Sequence, residues 1–355
     1  MSKTLKNTAD KIVAWYKIHA RNLPWRHTKD PYKIWLSEII LQQTTVAQGT
    51  KYYLNFAEKY PTIKSFSKAP IDDILKLWQG LGYYSRARNM HFTAQKIMDN
   101  YDGIFPKEHK EILKLKGVGP YTAAAIASFA YNLSYPVVDG NVLRFMSRFY
   151  AIEKAIDLSE TKKIIEKKAN GLLKTQEPSV FNQAIMEFGA LVCKAKNPTC
   201  EKCVLVKDCK SYKKDIVNKL PFKAKKITKK KRFFKFIFFA SHDNKTIISK
   251  RSKKDIWQGL YQFPIQEFDS LTLDIPQLKT LGISILKDNI YPSKIYKQQL
   301  THQTIHAQFY KIYIEGPVAD ICQSNQVIIK IEDLNKYAWP KIIDLYLNDL
   351  SLTLF

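Results

Sequence analysis

No run of about 18 consecutive apolar residues occurs in this 355-residue chain, so no membrane-spanning helix is expected. The opening Met-Ser-Lys-Thr-Leu-Lys-Asn lacks the apolar core of a signal peptide, and the expected location is cytoplasmic. Acidic residues are scarce. Asp and Glu number 32 against 57 Lys and Arg, a net charge of +25 that favours a polyanionic partner, nucleic acid or an anionic membrane, over a merely soluble basic surface. Repeats of fixed period are absent, which excludes a solenoid, and low complexity is confined to one lysine-rich stretch. Cysteines are few, five in all, yet four crowd between Cys193 and Cys209. That distribution is wrong for a secreted disulfide framework and right for a metal site in a reducing compartment, with Cys322 left over as an inert thiol.

The length exceeds the usual single-domain size, so two domains are expected. Up to about residue 210 the apolar spacing is helical, as in Ile12 with Tyr16 and Ile34 with Leu41, and this half reads as all-α. The segment KSYKKDIVNKLPFKAKKITKKKR then loses periodicity, as a linker does. We therefore expect a domain over 1–212, a basic linker over 213–232 and a second domain over 233–355. In the latter, FFKFIFFA and KTIISK read as two strands joined by a turn, THQTIHAQFYKIYI alternates over part of its length, and IEDLNKYAWPKIIDLYLNDL looks helical with a break at Pro340, so this smaller domain reads as α+β.

Cys193, Cys200, Cys203 and Cys209 form a C-x6-C-x2-C-x5-C loop whose thiolates can close around one centre. Spacing alone leaves tetrahedral zinc and an iron–sulfur cluster equally open. In LKLKGVGPYTAAAIASFA a helix ending near Leu115 meets a second one opening at about Tyr121, through a turn of Gly117, Val118 and Gly119. In such a helix-hairpin-helix, glycines admit a close DNA backbone and the helix N-terminus faces a phosphate without reading a base. Glu38 falls on the apolar stripe of KIWLSEIILQQTTV. Burial favours a protonated carboxyl and hence a general acid at neutral pH, the plain alternative being a helix-edge glutamate reaching solvent. Asp139 in YPVVDGNVLRF sits where a helix begins; as a cap it stays ionised, and an ionised carboxylate there can also stabilise a cationic sugar.

Helix glutamate, hairpin, VDGNV and four-cysteine loop, in this order, resemble the endonuclease III-like superfamily of helix-hairpin-helix DNA glycosylases. Within it the segments ARNLPWR, PYKIWLSEIILQQTTV, LWQGLGYYSRARN, LKGVGPYTAAAI and FNQAIMEFGALVC are similar to the adenine DNA glycosylases, the MutY family. The resemblance implies a [4Fe-4S] cluster on the four cysteines and duplex DNA carrying adenine opposite 8-oxoguanine or guanine as the partner of a monomer. It implies that Glu38 protonates adenine N7, that Asp139 opposes the oxocarbenium ion, and that Tyr121 and Asn141 orient them. Arg26 and Glu187 would meet the adenine edge, Trp25 and Val46 would wall its pocket, and Gln43, Thr44, Leu81 and Tyr83 would wedge into the duplex and probe the opposite base. Lyase-active sisters carry a lysine after the hairpin where this chain has Tyr121, so a monofunctional glycosylase is expected.

The second domain resembles the family's Nudix-like module, and without a helix of clustered glutamates to hold magnesium it should recognise and not hydrolyse. Where the family reads 8-oxoguanine through Phe-Ser-His, this chain has Leu300, Thr301 and His302; Thr301 keeps a hydroxyl while the ring is lost. The competing readings are an endonuclease III-like glycosylase with lyase activity and a catalytically inactive DNA-binding protein.

Overall fold

The computed structural model describes residues 3–224, 228–268 and 289–352, so part of the expected linker, 225–227, lies outside it. Contacts divide the chain into two compact units, one of Met1–Lys68 with Asn89–Lys226, the other of Ala69–Arg88 with Ile227–Phe355. The helices are α1 (Lys3–His19), α2 (Pro31–Ile40), α3 (Val46–Lys59), α4 (Ile63–Lys68), α5 (Ile71–Leu77), α6 (Ser85–Asn100), α7 (His109–Lys114), α8 (Pro120–Tyr131), α9 (Gly140–Tyr150), α10 (Ser159–Leu173), α11 (Pro178–Leu191), α12 (Lys210–Lys213) and α13 (Lys341–Leu352).

The first unit is helical throughout its described residues. Asp30 starts α2 by accepting from the Tyr32 N–H (2.9 Å), with Pro31 at the first position where a missing N–H costs nothing. From there α2 is buried almost whole, Trp35, Leu36 and Ile40 fully so, and each such side chain contributes roughly 1.5–3 kcal/mol. α8 packs beside α2 because its Ala123, Ala125 and Ala127 leave the backbones close. A second core joins α1, α9, α10 and α11 through Ile12, Val142, Phe145, Ile165, Ile185 and Phe188. The chain after α12 stays on this unit up to the last described residues before the gap: Arg148 donates to the Leu220 carbonyl (3.0 Å) and the Ile156 N–H to that of Phe222 (2.9 Å).

The second unit has strands β1 (Lys230–Ser241), β2 (Lys245–Lys250), β3 (Tyr261–Gln262), β4 (Ile265–Phe268), β5 (Ile290–Pro292), β6 (Tyr296–Gln299), β7 (Gln303–Ile314) and β8 (Gln326–Lys330). One sheet runs β4-β1-β7-β5 with β6 also on β7, and the other β3-β2-β8. FFKFIFFA lies in β1, which pairs in parallel with β7 from Lys230↔Gln303 to Ser241↔Ile314. Apart from Lys235 its run is apolar, and the strand is buried on both faces from Phe234 to Ser241. The expected turn between β1 and β2 is present, but the two strands enter different sheets, because β4 and β7 already occupy both edges of β1. After Pro340, α13 packs Tyr346 flat on Phe309 (4.0 Å between ring centres). The segment 69–88 contributes buried Ile74, Leu75 and Trp78 to this unit, an arrangement that no motif in the sequence announces.

Candidate active site

A cavity of about 350 Å³ opens in the first unit. It gathers Trp25, Arg26, Glu38, Gln43, Thr44, Val46, Tyr121, Asp139, Asn141 and Glu187, which are scattered over more than 160 positions of sequence. α2 carries Glu38 on its buried face, 7% exposed, where the Tyr121 hydroxyl at the start of α8 donates to Oε2 (2.8 Å). Burial raises the Glu38 carboxyl to about 7; the Tyr121 hydrogen bond opposes the rise and the nearby Asp139 charge adds to it. Burial and the two carboxylates hold the Tyr121 phenol well above its ordinary value, so it remains a neutral donor.

Asp139 caps α9, accepting from the Val142 N–H (2.7 Å) and from Asn141 Nδ2 (2.6 Å). Burial raises its carboxyl, and these donors restrain the rise. Asn141 is held in turn by Arg144, whose Nη2 donates to Asn141 Oδ1 (3.0 Å) and to the Gly189 carbonyl (2.7 Å), while Nε donates to the carbonyl of Cys193 (2.8 Å). Gly189 is needed here: a Cβ would stand 2.8 Å from the Asn141 carbonyl oxygen and push α11 off α9.

Two further groups at this cavity were not singled out from the sequence. Arg21 grips Glu187 bidentately, Nε to Oε1 (2.8 Å) and Nη2 to Oε2 (2.6 Å), while Arg26 Nη2 also reaches Oε2 (2.8 Å). Burial works against the Glu187 charge, but the two guanidiniums prevail and bring it to about 2. Glu187 thus orients arginines at the cavity and has little acceptor capacity left for a base. Gln183 lines the wall, its Oε1 accepting from the Tyr16 hydroxyl (2.9 Å). The ARNLPWR segment contains both arginines, so Arg21 was visible in outline; Gln183 lies one helical turn before Glu187, a spacing that places both on one face of α11.

In the hairpin, Gly117 has φ +83°, and a Cβ there would meet that of Asn89 at 2.8 Å, so only glycine fits. Val118 is buried and Gly119 begins α8 with open space beside it. Cys193, Cys200, Cys203 and Cys209, all free thiols, surround one apolar cavity with Phe145, Phe149 and Phe188. Burial raises Cys203 to about 11, neighbouring cysteines adding to it, so four thiolates there require a compensating cationic centre. Among the described residues no three His, Cys, Asp or Glu side chains converge as a single bound ion requires.

Leu81, Tyr83 and Thr301 are elsewhere. They line a cavity of about 480 Å³ in the second unit, where the hydroxyls of Tyr83 and Thr301 hydrogen-bond each other. Thr301 is on the turn from β6 to β7, closed by the Leu300 N–H to the Gln303 carbonyl (2.8 Å). Leu81, expected to wedge, is 7% exposed.

A family model described as HhH-GPD superfamily base excision DNA repair protein matches residues 36–174, and one described as NUDIX domain matches 236–349. Over 302 residues the chain is 39% identical to an adenine DNA glycosylase of Buchnera aphidicola subsp. Schizaphis graminum (strain Sg), which spans 83% of this chain and 84% of that protein. The chain belongs to the adenine DNA glycosylase family. Among solved structures, a thermostable thymine-DNA glycosylase is similar at 33% identity and TM-score 0.55, covering 60% of this chain and 98% of that one. An endonuclease III in a non-covalent DNA complex is similar at 25% identity and TM-score 0.52, covering 60% and 97%. The fold expected from the sequence, a helical hairpin-containing glycosylase part followed by a Nudix-like α+β part, is thus the fold of this family member. No helix among the described residues is long and apolar enough to cross a membrane.

Proposed function

We propose that this adenine glycosylase family member acts as a monomer on duplex DNA in base excision repair, hydrolysing the N-glycosidic bond of adenine opposite 8-oxoguanine or guanine. The observation that carries this reading is the pair Glu38 and Asp139 in one cavity, the first with a pKa of about 7 and the second braced by two donors. With the adenine flipped into the cavity, Glu38 in its protonated form gives a proton to N7 and turns the base into a neutral leaving group. Positive charge then develops on the sugar, and the Asp139 carboxylate opposes it from a fixed position. Glu38, now a carboxylate, accepts a proton from the water that attacks the sugar. Tyr121 keeps Glu38 in place through both steps, and being a phenol and not an amine it offers no nucleophile for a Schiff base.

A [4Fe-4S] cluster fits the cysteine cavity; Cys193, Cys200, Cys203 and Cys209 would hold it, and bound there it would fasten the loop that carries the Cys193 carbonyl. The Tyr83 and Thr301 cavity is suited to reading the opposite base, its two hydroxyls offering donors and acceptors.

The test is single-turnover release of adenine from a duplex carrying A opposite 8-oxoguanine. We expect release by the wild type and a fall of about a thousandfold in Glu38→Gln. Equal rates in the two proteins would remove Glu38 as the acid, and no release by the wild type would remove the substrate. Borohydride trapping of a covalent DNA adduct would favour the lyase reading.

A further inference from the structure

The Tyr83 side of the second cavity is built on strained backbone. Gly80 (φ +99°), Gly82 (φ +71°) and Tyr83 (φ +47°) all adopt left-handed conformations, and for tyrosine that geometry persists only where the surroundings impose it. The turn itself is held locally, by Trp78 Nε1 donating to the Gly82 carbonyl (3.0 Å) and by Arg86 Nη2 donating to the carbonyls of Leu81 (3.2 Å) and Gly82 (3.1 Å), and the segment leading into it is fastened from outside the cavity. At the start of α5, Asp72 accepts from the Tyr261 hydroxyl (3.0 Å) and pairs with Lys250 of β2. Lys76 donates to the Tyr337 carbonyl (2.8 Å). Just before the strained turn, Gln79 Nε2 donates to Asp344 of α13 (2.8 Å), and its Oε1 accepts from the Trp339 N–H (3.4 Å). Leu75 packs so close to Gly259 that a Cβ there would come within 3.3 Å of Leu75 Cδ1. Each partner belongs to 227–355, and none of Asp72, Lys76 or Gln79 lines the cavity.

We infer that Asp72 and Gln79 are positioning residues for the opposite base: they fasten the segment 69–88 to the second unit, so that Tyr83 and Thr301 form one preset probe. The inference rests on the proposed role of that cavity. It assigns discrimination to residues that touch neither DNA base and leaves the chemistry at Glu38 and Asp139 alone. Losing one polar anchor of this kind costs a few-fold in the population of the set loop, and losing both about tenfold.

The experiment uses the full-length protein and single-turnover adenine release from duplexes with A opposite 8-oxoguanine and A opposite guanine. In Gln79→Ala with Asp72→Ala we expect the preference for 8-oxoguanine to fall about tenfold while release from A opposite guanine at saturating enzyme is unchanged. Asp72→Asn, which keeps an acceptor for Tyr261, restores most of the Asp72 share. In a Tyr83→Ala background the two anchor substitutions should cost nothing more, because they act through Tyr83. An unchanged preference overturns the inference, as does an equal loss on both duplexes, which marks a general stability role, or a full additive loss on top of Tyr83→Ala. A wild type with no preference for 8-oxoguanine, or one whose preference survives Tyr83→Ala and Thr301→Val, instead overturns the reading of the cavity beneath it.

Discussion

The two cavities solve the placement of polar groups in opposite ways. In the first unit the central polar groups are held at helices with buried faces: Glu38 by α2 and Asp139 and Asn141 at the start of α9, two helices capped by aspartate side chains, and Tyr121 by the first turn of α8. In the second, Tyr83 and Thr301 sit on turns, and their hydroxyls hydrogen-bond each other across 218 positions of sequence. Regular structure suits chemistry that needs a carboxylate fixed against a developing charge, whereas turns suit a probe that must sense what is opposite. The difference predicts where substitutions act: in the first cavity on the rate of bond cleavage, in the second on the choice of substrate.

The sharpest way to break that division is Asp139→Asn. It keeps the shape and removes the charge that opposes the sugar cation; single-turnover release should drop by about a hundredfold to a thousandfold on both duplexes alike. A drop confined to one opposite base would erase the distinction between the cavities. Tyr121→Phe has a smaller effect, about tenfold, with a signature in the pH profile. The Tyr121 hydrogen bond lowers the Glu38 pKa, so its loss moves that pKa up from about 7. The proton donor is the protonated form, so wild-type activity should decline as pH rises through about 7, and the decline in Tyr121→Phe should come at higher pH. Thr301→Val is the mildest: a few-fold loss of preference for 8-oxoguanine, read as a ratio of rates on the two duplexes, with the cleavage rate opposite guanine untouched.

The same division governs how much could be read from the chain. The helical half, the hairpin around Gly117 and the cap at Asp139 were legible because their signals are local: apolar spacing, a glycine turn, a polar residue before a helix. Glu38 was legible as a carboxylate on an apolar stripe, and the structure supplies what spacing could not, its Tyr121 partner on another helix. Glu187 shows the limit of carrying a role across by motif, since its two arginines are separated from it by some 160 positions and no local pattern reports their grip. Strands β1 and β2 were visible as strands but not as members of different sheets, because β1 finds β7 and β2 finds β8, each more than 60 residues further along the chain. The attachment of 69–88 to the second unit was invisible for the same reason: Asp72 and Gln79 look like ordinary surface polar residues until Tyr261, Trp339 and Asp344 are brought beside them.

The parallel pairing of β1 with β7 also bears on how the protein is made. A ribosome that has just finished FFKFIFFA must add the whole stretch up to Ile314 before that strand's central neighbour exists. At about ten residues per second the wait is roughly seven seconds, during which a phenylalanine-rich, β-prone segment hangs from the exit tunnel without its mate. The lysine cluster just ahead of it, KKITKKKR, stands where gatekeeper charges stand, flanking an apolar strand that must wait for its partner.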